Sequence, residues 1–312
     1  MNSRIIKSEV ELILPMLYVP GNNIQISSIL NGKNNLGVCN LAICLEDAVR
    51  KESRLEAEKS LLAAMQKVES CPRRIFIRPA NLDSFNRILQ SYPLHLISGF
   101  ILPKATAKEI DQWISISKSK FTILPIMESR EVLDPLARRE LSLLCSLHRD
   151  VIPLARIGAN DIFSLLGGLR RPTGKTIYQT PVGHVIDGLI EAFSANDVRL
   201  SAPVSDRISD METFEREIKE DIERGLFGKT CVHPNQVLKV WRCYQPDASD
   251  ISEALSILDP CNPAIFRIDG DMLEKTCHSQ WARQLLLREK AYNFFESELS
   301  LKCNLSQTAL SL

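Results

Sequence analysis

The feature that most constrains the fold is a regular alternation along the chain between short apolar runs and longer amphipathic segments. Each apolar run is rich in β-branched residues and ends in a polar cluster, and a stretch with helical spacing follows it. Strands that alternate with helices in this way form parallel sheets. Eight such runs predict a closed TIM (β/α)8 barrel of the α/β class. The predicted strands cover residues 13–18, 38–45, 75–78, 99–103, 121–126, 154–157, 198–204 and 230–233.

The 312 residues of the chain are enough for one barrel and a C-terminal extension. We expect residues 1–245 to form a catalytic barrel domain and residues 246–312 to form a lid or helical extension. Within the extension, the Asp, Ser, Pro and Asn content of residues 249–263 indicates a linker or lid. The apolar spacing of residues 279–299 predicts a long amphipathic helix, and residues 300–312 are expected to fray.

Charge and cysteine content limit the cellular partners of the chain. Lys plus Arg and Asp plus Glu both total 38, so no net charge draws the protein to nucleic acid or to a membrane surface. The nine cysteines include no C-x-x-C pair, which favours reduced thiols. No uncharged apolar run reaches about 18 residues, the length needed for a membrane helix. We therefore expect a cytoplasmic protein that binds neither nucleic acid nor membranes.

Two carboxylates follow neighbouring predicted strands and are candidate metal ligands. Glu128 comes after the fifth strand and Asp161 after the sixth, and in a (β/α)8 barrel both positions lie at the rim that carries the active site. Mg²⁺ binds through one or two carboxylates and keeps its other positions for water or substrate oxygens. The alternative is that each carboxylate caps the next helix or pairs with a neighbouring arginine such as Arg130.

Basic residues also occur at predicted strand ends. Arg78 ends the third strand, where its guanidinium could hold a substrate carboxylate or enolate oxygen. A salt bridge from Arg78 to Glu46 or Asp47 is the competing interpretation, and both can hold if the acids fix the guanidinium in place. Lys104 follows the fourth strand, and since carboxylates surround it, we favour an electrostatic or structural role over a Schiff-base nucleophile.

Two further features near the strand ends, a histidine and a group of glycines, have weaker signals. His233 follows the last strand as a candidate general base or an orienting hydrogen-bond partner, and we favour the structural role. Gly158, Gly167 and Gly168 could allow close backbone approach to an anion, although glycines are common in tight turns without any ligand.

Six motifs in order along the chain resemble one family. They are LYVPG at 17–21, LEDAV at 45–49, RPAN at 78–81, LPK at 102–104, PIME at 125–128 and GAND at 158–161. Together they are similar to the citrate lyase β-subunit and malyl-CoA lyase family of metal-dependent aldolases, over about residues 13–240. The RPTG motif at 171–174 and the Thr180-Pro181 pair look more like a divergent branch of carbon–carbon bond lyases found in tellurium-resistance-associated gene clusters.

The resemblance implies a reaction and roles for the candidate residues. It implies that Mg²⁺, or Mn²⁺, binds to Glu128 and Asp161, and that a 2-hydroxy acid or 3-hydroxyacyl substrate is cleaved or formed through a metal-stabilised enolate. The substrate would be a small keto or hydroxy acid or an acyl thioester. The resemblance also assigns the other candidates. The catalytic residues would be Arg78, Glu46, Asp47 and Glu274, and the substrate-binding residues Arg78, Gly158, Ala159, Asn160 and Lys104.

A seventh motif, FRIDGDMLE at 266–274, is similar to the family's C-terminal segment, which reaches over the active site of an adjacent subunit. The resemblance therefore implies a homo-oligomer, a trimer or hexamer, with Glu274 in place of the family's aspartate. The chain departs from the family at 178–184, where YQTPVGH replaces an Arg-Ser-type stretch associated with CoA binding. A thioester hydrolase and a non-catalytic metabolite-binding barrel remain the alternatives.

Overall fold

The computed structural model describes residues 15–33 and 36–302, and it contains the eight strands of the expected barrel. The strands are all parallel to their neighbours. They are β1 (Met16–Pro20), β2 (Asn40–Cys44), β3 (Arg74–Arg78), β4 (Ile97–Leu102), β5 (Thr122–Met127), β6 (Ala155–Ile157), β7 (Leu200–Ser201) and β8 (Thr230–Cys231).

The strand order closes the barrel. The sheet runs β7-β6-β5-β4-β3-β2-β1-β8, and a single parallel bridge between Ala202 and Lys229 connects the two ends. Every residue of β2 and of β5 is buried, as expected for parallel strands that are covered by side chains inside the barrel and by helices outside. The predicted TIM-barrel fold is confirmed.

Helices surround the barrel and several of them begin with a side-chain cap. They are α1 (Ile26–Leu30), α2 (Arg54–Met65), α3 (Leu82–Ser91), α4 (Ala107–Ser117), α5 (Pro135–Leu147), α6 (Ala159–Leu165), α7 (Pro181–Ser194), α8 (Met211–Glu223) and α9 (Pro234–Tyr244). Short 3₁₀ helices occur at Lys51–Ser53, Leu94–Leu96, Arg130–Leu133 and Ile177–Gln179. Asn81 caps α3, Thr106 and Glu109 form a capping box at α4, and Asp134 caps α5. These side chains accept hydrogen bonds from the first N–H groups of the helices and so determine where each loop at the rim ends.

The last two predicted strands are at most half as long as expected. The seventh was predicted over 198–204 but pairs only over Leu200–Ser201 and the Ala202 bridge. Pro203 has no N–H to donate, so the ladder ends before it. The eighth ends at Cys231 because His233 already caps α9. Residues 13 and 14 of the first predicted strand lie outside the described residues.

Residues 249–263 were predicted to form a linker or lid, and most of them form a regular helix instead of an irregular linker. The first element of this region is a helix, α10 (Ala248–Leu258). It is followed by a β-hairpin formed by β9 (Ile265–Ile268) and β10 (Asp271–Glu274), and then by a long helix, α11 (Lys275–Lys302). Ala254 and Ile257 of α10 are buried against Leu273, Ala282 and Leu285. This small second core stabilises a helix whose own sequence pattern is weak.

The long C-terminal helix confirms the helix predicted over 279–299 and extends it at both ends; residues 303–312 lie outside the described part. In residues 15–33 and 36–302 we found no helix with both the length and the apolar character required to cross a bilayer.

Candidate active site

Several sequence-predicted residues meet at the C-terminal rim of the barrel. Arg78 is the last residue of β3, Glu128 follows β5 directly, and Asp161 lies in the first turn of α6, just beyond β6. Parallel neighbouring strands bring these positions to one end of the barrel, where they surround a cavity of about 280 Å³. The predicted residues that line this cavity are Asp47, Arg78, Glu128, Gly158, Ala159, Asn160 and Asp161.

The guanidinium of Arg78 contacts three carboxylates. Its Nη2 atom lies 2.5 Å from Glu46 Oε2, 2.9 Å from Asp47 Oδ2 and 3.2 Å from Glu128 Oε1. Its Nε is buried and meets no acceptor among the described residues. The competing interpretation of Arg78 as a salt-bridge partner of Glu46 and Asp47 is therefore present in the structure, and it fixes the guanidinium at the cavity wall.

Lys104 contributes both its backbone and its side chain. Its φ is 47°, a left-handed conformation that is uncommon for a residue with a side chain. In this conformation the Lys104 N–H donates to Glu128 Oε1 at 3.0 Å. Its Nζ lies 2.7 Å from Glu46 Oε1 and 3.8 Å from Asp161 Oδ1. Although partial burial works in the opposite direction, the hydrogen bond and charge of Glu46 raise the pKa of Lys104, which favours the charged ammonium over the neutral amine that a Schiff-base nucleophile requires.

Gly158 makes room for the side chain of Glu128. A Cβ atom at Gly158 would lie 2.8 Å from Glu128 Cδ and closer still to its Oε2, a separation that real side chains do not adopt. The glycine therefore accommodates an anion, as the sequence suggested, but the anion is a carboxylate of the protein itself. By contrast, an added Cβ at Gly167 or Gly168 would meet nothing within 4 Å.

Burial perturbs the pKa of Glu128 strongly. Desolvation, assisted by the nearby charge of Asp161, raises the pKa of Glu128 to about 7, against the opposing effect of Arg78. The carboxylate is therefore poised between its protonated and ionised forms at neutral pH. A second positive charge in the cavity would favour the ionised form.

The pKa values of the adjacent acids Glu46 and Asp47 are displaced in opposite directions. Burial raises the pKa of Glu46, with Arg78 opposing. Despite its partial burial, the pKa of Asp47 is lowered by its interaction with Glu46 and by the charges of Arg78 and Lys104. Neighbouring carboxyl groups that differ in this way can serve as a proton donor and a proton acceptor in one site.

The donor set at the rim fits a hard divalent cation. Within the described ranges, no group of three or more His, Cys, Asp or Glu is arranged to hold a metal ion. A cation between Glu128 and Asp161 would thus take most of its ligands from water or substrate, which is how Mg²⁺ usually binds. Asp161 raises the pKa of Glu128 because the two carboxylates repel each other. A cation bound between them would remove this repulsion.

Four cavity residues with polar or ionisable side chains lie within the strands themselves and were not among the predicted site residues. Tyr18, Cys44, Arg156 and Thr230 line the same cavity from strands β1, β2, β6 and β8. Arg156 was detectable in principle, because it is a charged residue within the apolar run of residues 154–157. The four residues face into the barrel from the strands, whereas the predicted site residues lie at or after the strand ends.

The remaining candidates lie away from the cavity lining. His233 accepts a hydrogen bond from the backbone N–H of Asn235 at 3.2 Å and caps α9, which is the structural role that we favoured. Glu274 ends β10, and its backbone N–H donates to His278 Nδ1 at 3.2 Å. Glu274 is not among the residues lining the cavity of its own chain.

The barrel is closed, and its C-terminal rim carries carboxylates with an arginine between them. This arrangement is typical of (β/α)8 enzymes, whose active sites are built from residues at the strand ends. The chain belongs to the family of C–C bond lyases of the TIM-barrel fold, which matches residues 14–294. The resemblance to citrate lyase β subunits is thereby confirmed at the level of the family.

Known proteins agree with this assignment. A citrate lyase subunit beta-like protein of Mycobacterium tuberculosis is 25% identical over 165 residues, which are 49% of this chain and 60% of that protein. The chain thus spans less than two thirds of the curated relatives that it matches.

Solved structures share the fold. CitE from M. tuberculosis, in complex with magnesium, acetoacetate and coenzyme A, has a TM-score of 0.68 at 21% identity, covering 89% of this chain and 98% of that one. RipC from Yersinia pestis has a TM-score of 0.61 at 16% identity and covers 78% and 100%. The citrate lyase beta subunit of M. tuberculosis with oxaloacetate and magnesium has a TM-score of 0.58 at 20% identity and covers 76% and 99%.

Proposed function

We propose that this protein is a Mg²⁺-dependent carbon–carbon bond lyase that cleaves or forms a 2-hydroxy acid or a 3-hydroxyacyl compound. The observation that carries the proposal is the placement of Glu128 and Asp161 on one cavity, with Arg78 between Glu128 and the pair Glu46 and Asp47. Mn²⁺ could replace Mg²⁺ at the same oxygen ligands.

Glu128 and Asp161 would hold the cation. When bound, the cation would act as a Lewis acid for the substrate oxygens that gain charge as the carbon–carbon bond breaks. In support, the structures of CitE and of the citrate lyase beta subunit contain magnesium.

Arg78 would orient the substrate and stabilise its developing negative charge. Its Nη2 is held by three carboxylates and its Nε has no acceptor among the described residues. A guanidinium fixed in this way can hold a carboxylate or enolate oxygen without losing further conformational freedom. Gly158, Ala159, Asn160 and Lys104 would complete the substrate-binding surface.

Glu46 and Asp47 would handle the proton of the reaction. In the cleavage direction the substrate hydroxyl loses its proton, the carbon–carbon bond breaks to give a carbonyl compound, and the enolate half takes up a proton. Asp47 lines the cavity and its lowered pKa keeps it ionised, so it would accept the first proton. The raised pKa of Glu46 suits it to supply a proton through the shared hydrogen-bond network.

We propose a free keto or hydroxy acid in preference to a CoA thioester as the substrate. In the segment where the chain departs from CoA-binding relatives, Tyr178 is already engaged within the protein, because its hydroxyl donates to Asp221 and the Arg224 guanidinium covers its ring at 3.9 Å. Related structures contain acetoacetate with coenzyme A, and oxaloacetate.

Glu274 would act on a second copy of the chain. It lies on the β9–β10 hairpin and does not line its own cavity, so a catalytic role requires a neighbouring subunit in a homo-oligomer, a trimer or hexamer. We propose that this assembly is cytoplasmic, a reducing compartment in which the free cysteines of the described residues would persist.

Calorimetry and product analysis on the native protein and on Glu128→Gln test the proposal. Mg²⁺ with a keto acid should bind to the native protein and not to Glu128→Gln, and NMR should detect two carbonyl-containing products from a hydroxy acid substrate. Glu131→Gln is the matched control, since Glu131 also follows β5 but does not line the cavity. Equal Mg²⁺-independent binding by all three proteins would instead indicate a non-catalytic barrel, and release of a free acid and thiol from a thioester without carbon–carbon cleavage would indicate a hydrolase.

A further inference from the structure

A buried arginine lies below the rim, inside the barrel. Arg156 is the middle residue of β6 and is 4% exposed. It lines the same cavity as Glu128 and Asp161. It precedes Gly158 by two residues along the strand, so its backbone lies about 6–7 Å deeper than the rim at about 3.3 Å per strand residue.

The contacts of Arg156 are with neutral groups. Its Nη2 donates to the hydroxyl of Thr230 on β8, and its guanidinium faces the ring of Tyr18 on β1 at 5.9 Å from the ring centroid. Among residues 15–33 and 36–293, the ion pairs of the site involve Arg78 and Lys104, and none involves Arg156. A guanidinium is charged at any physiological pH.

Two titratable groups next to Arg156, Tyr18 and Cys231, do not supply a negative charge, and Asp206, which lines the same cavity, is paired with Arg171 at 3.5 Å. Burial raises the pKa of the Tyr18 phenol, although Arg156 itself acts in the opposite direction. Burial also raises the pKa of the Cys231 thiol to about 12. Both groups are neutral at pH 7, so they cannot balance the charge of the guanidinium.

Arg156 therefore differs from the two basic residues at the rim. Arg78 and Lys104 are already engaged by Glu46, Asp47, Glu128 and Asp161. A buried cation without a counter-charge is unfavourable, and an incoming anion that reaches it gains a charge-assisted interaction in a poorly solvated place.

We propose that Arg156 binds a second carboxylate of the substrate, and that the site therefore selects a compact dicarboxylate. This inference rests on the proposed function, in which one substrate carboxylate and the hydroxyl or keto oxygen next to it bind at the rim, beside Arg78, Glu128 and Asp161. The second carboxylate of the substrate would then reach the floor of the cavity, where Arg156 and Thr230 meet. The planar guanidinium matches a carboxylate in geometry, and the cavity of about 280 Å³ has the volume for a small acid. A monoacid with an apolar end would leave the guanidinium unpaired and desolvated.

Calorimetry with two matched acids tests the inference. Malate and 2-hydroxybutyrate share the hydroxy acid end, and they differ in whether a carboxylate or a methyl group stands at the other end. In saturating Mg²⁺, the native protein should bind malate about ten- to a hundredfold more tightly, the usual range for a hydrogen bond to a charged group. In Arg156→Gln the affinity for malate should fall to about that for 2-hydroxybutyrate, while the affinity for 2-hydroxybutyrate should not fall. Arg149→Gln, at a surface turn, should keep the preference.

The outcomes separate this inference from the proposed function. Equal binding of the two acids by the native protein, or a preference for malate that persists in Arg156→Gln, overturns the role of Arg156 and leaves the lyase proposal in place. Failure of the native protein to bind either acid with Mg²⁺ overturns both. Equal binding of the two acids by the native protein overturns the role of Arg156 even if Arg156→Gln does not fold. Arg156→Lys, which retains the charge, should keep part of the preference.

Discussion

The backbone of Gly158 lies against the carboxyl group of Glu128, so closely that a Cβ atom at Gly158 would be 2.8 Å from Glu128 Cδ. Gly158 also donates its N–H to the carbonyl of Met127 at 3.3 Å, which links the ends of β5 and β6. Gly158 thus determines the position of the Glu128 carboxyl group relative to Asp161, which follows Gly158 by three residues. The spacing of the two candidate ligands depends on a residue without a side chain.

Gly158→Ala should therefore separate folding from ligand binding. The added methyl group must displace Glu128, so we expect Mg²⁺-dependent binding of a keto acid to weaken at least about tenfold, which corresponds to about 1.4 kcal/mol. Calorimetry measures the binding and thermal unfolding reports the fold. Ser164→Ala, at an exposed position of α6, is the control and should bind like the native protein. Unchanged Mg²⁺ affinity in Gly158→Ala would show that the position of Glu128 is unimportant for the cation.

The affinity for Mg²⁺ should depend on pH through Glu128. Because burial and the charge of Asp161 raise the pKa of Glu128 to about 7, the cation must displace a proton at lower pH. The apparent affinity should fall about tenfold for each pH unit below 7. Calorimetry over a series of pH values measures this slope. A flat profile in the native protein would exclude Glu128 as a ligand.

The same raised pKa predicts how stability changes with pH in the absence of a cation. The folded-state pKa of Glu128 lies above its ordinary value of 4.5, so the folded state binds more protons than the unfolded state. The contribution of this group to stability is fully present below pH 4.5 and is lost as the pH rises through about 7. Denaturant unfolding should show this loss in the native protein and a smaller one in Glu128→Gln. Added Mg²⁺ should reverse the loss at pH 7.

A second buried charge network, formed by Lys229 with Glu217 and Asp221, should contribute to stability. The Nζ of Lys229 lies 3.1 Å from Glu217 and 2.6 Å from Asp221, and all three side chains are at most 1% exposed. Lys229→Met leaves the buried Asp221 without its cationic partner and leaves Glu217 with Arg171 alone, and we expect it to lower the free energy of unfolding by about 3–5 kcal/mol.

The control for this prediction is Lys239→Met. Lys239 pairs with Glu215 at 2.7 Å, but both side chains are about one third exposed, so its loss should cost at most about 1 kcal/mol. Urea denaturation measures both variants. Equal effects of the two substitutions would mean that burial of the Lys229 network contributes nothing beyond a surface ion pair.

The sequence predicted the barrel well because its strands carry the signal locally. Runs such as residues 121–126 are apolar throughout, and in the structure β5 is buried on both faces. Since the rim of a barrel lies at the ends of such runs, Arg78, Glu128 and Asp161 could also be located. Strand seven was overestimated because the effect of Pro203 on the hydrogen-bond ladder was not considered.

Features that depend on tertiary packing could not be predicted. The helix Ala248–Leu258 is stabilised by contacts with the hairpin and with α11, which no local pattern reveals. The left-handed backbone of Lys104 places its N–H on Glu128, and lysine gives no sequence signal for that conformation. Arg156 contacts Thr230, 74 residues away in sequence, so its place on the cavity floor follows only from the closed barrel.

Anomalous diffraction from crystals soaked with Mn²⁺ tests the central claim most directly, because Mn²⁺ accepts the same oxygen ligands as Mg²⁺ and its position can be assigned without reference to the protein. We predict one strong anomalous peak in the cavity, with a carboxylate oxygen of Glu128 and one of Asp161 at bonding distance. A peak held by neither residue, or no peak in a cavity where Glu128 remains bound to Arg78, would contradict the account.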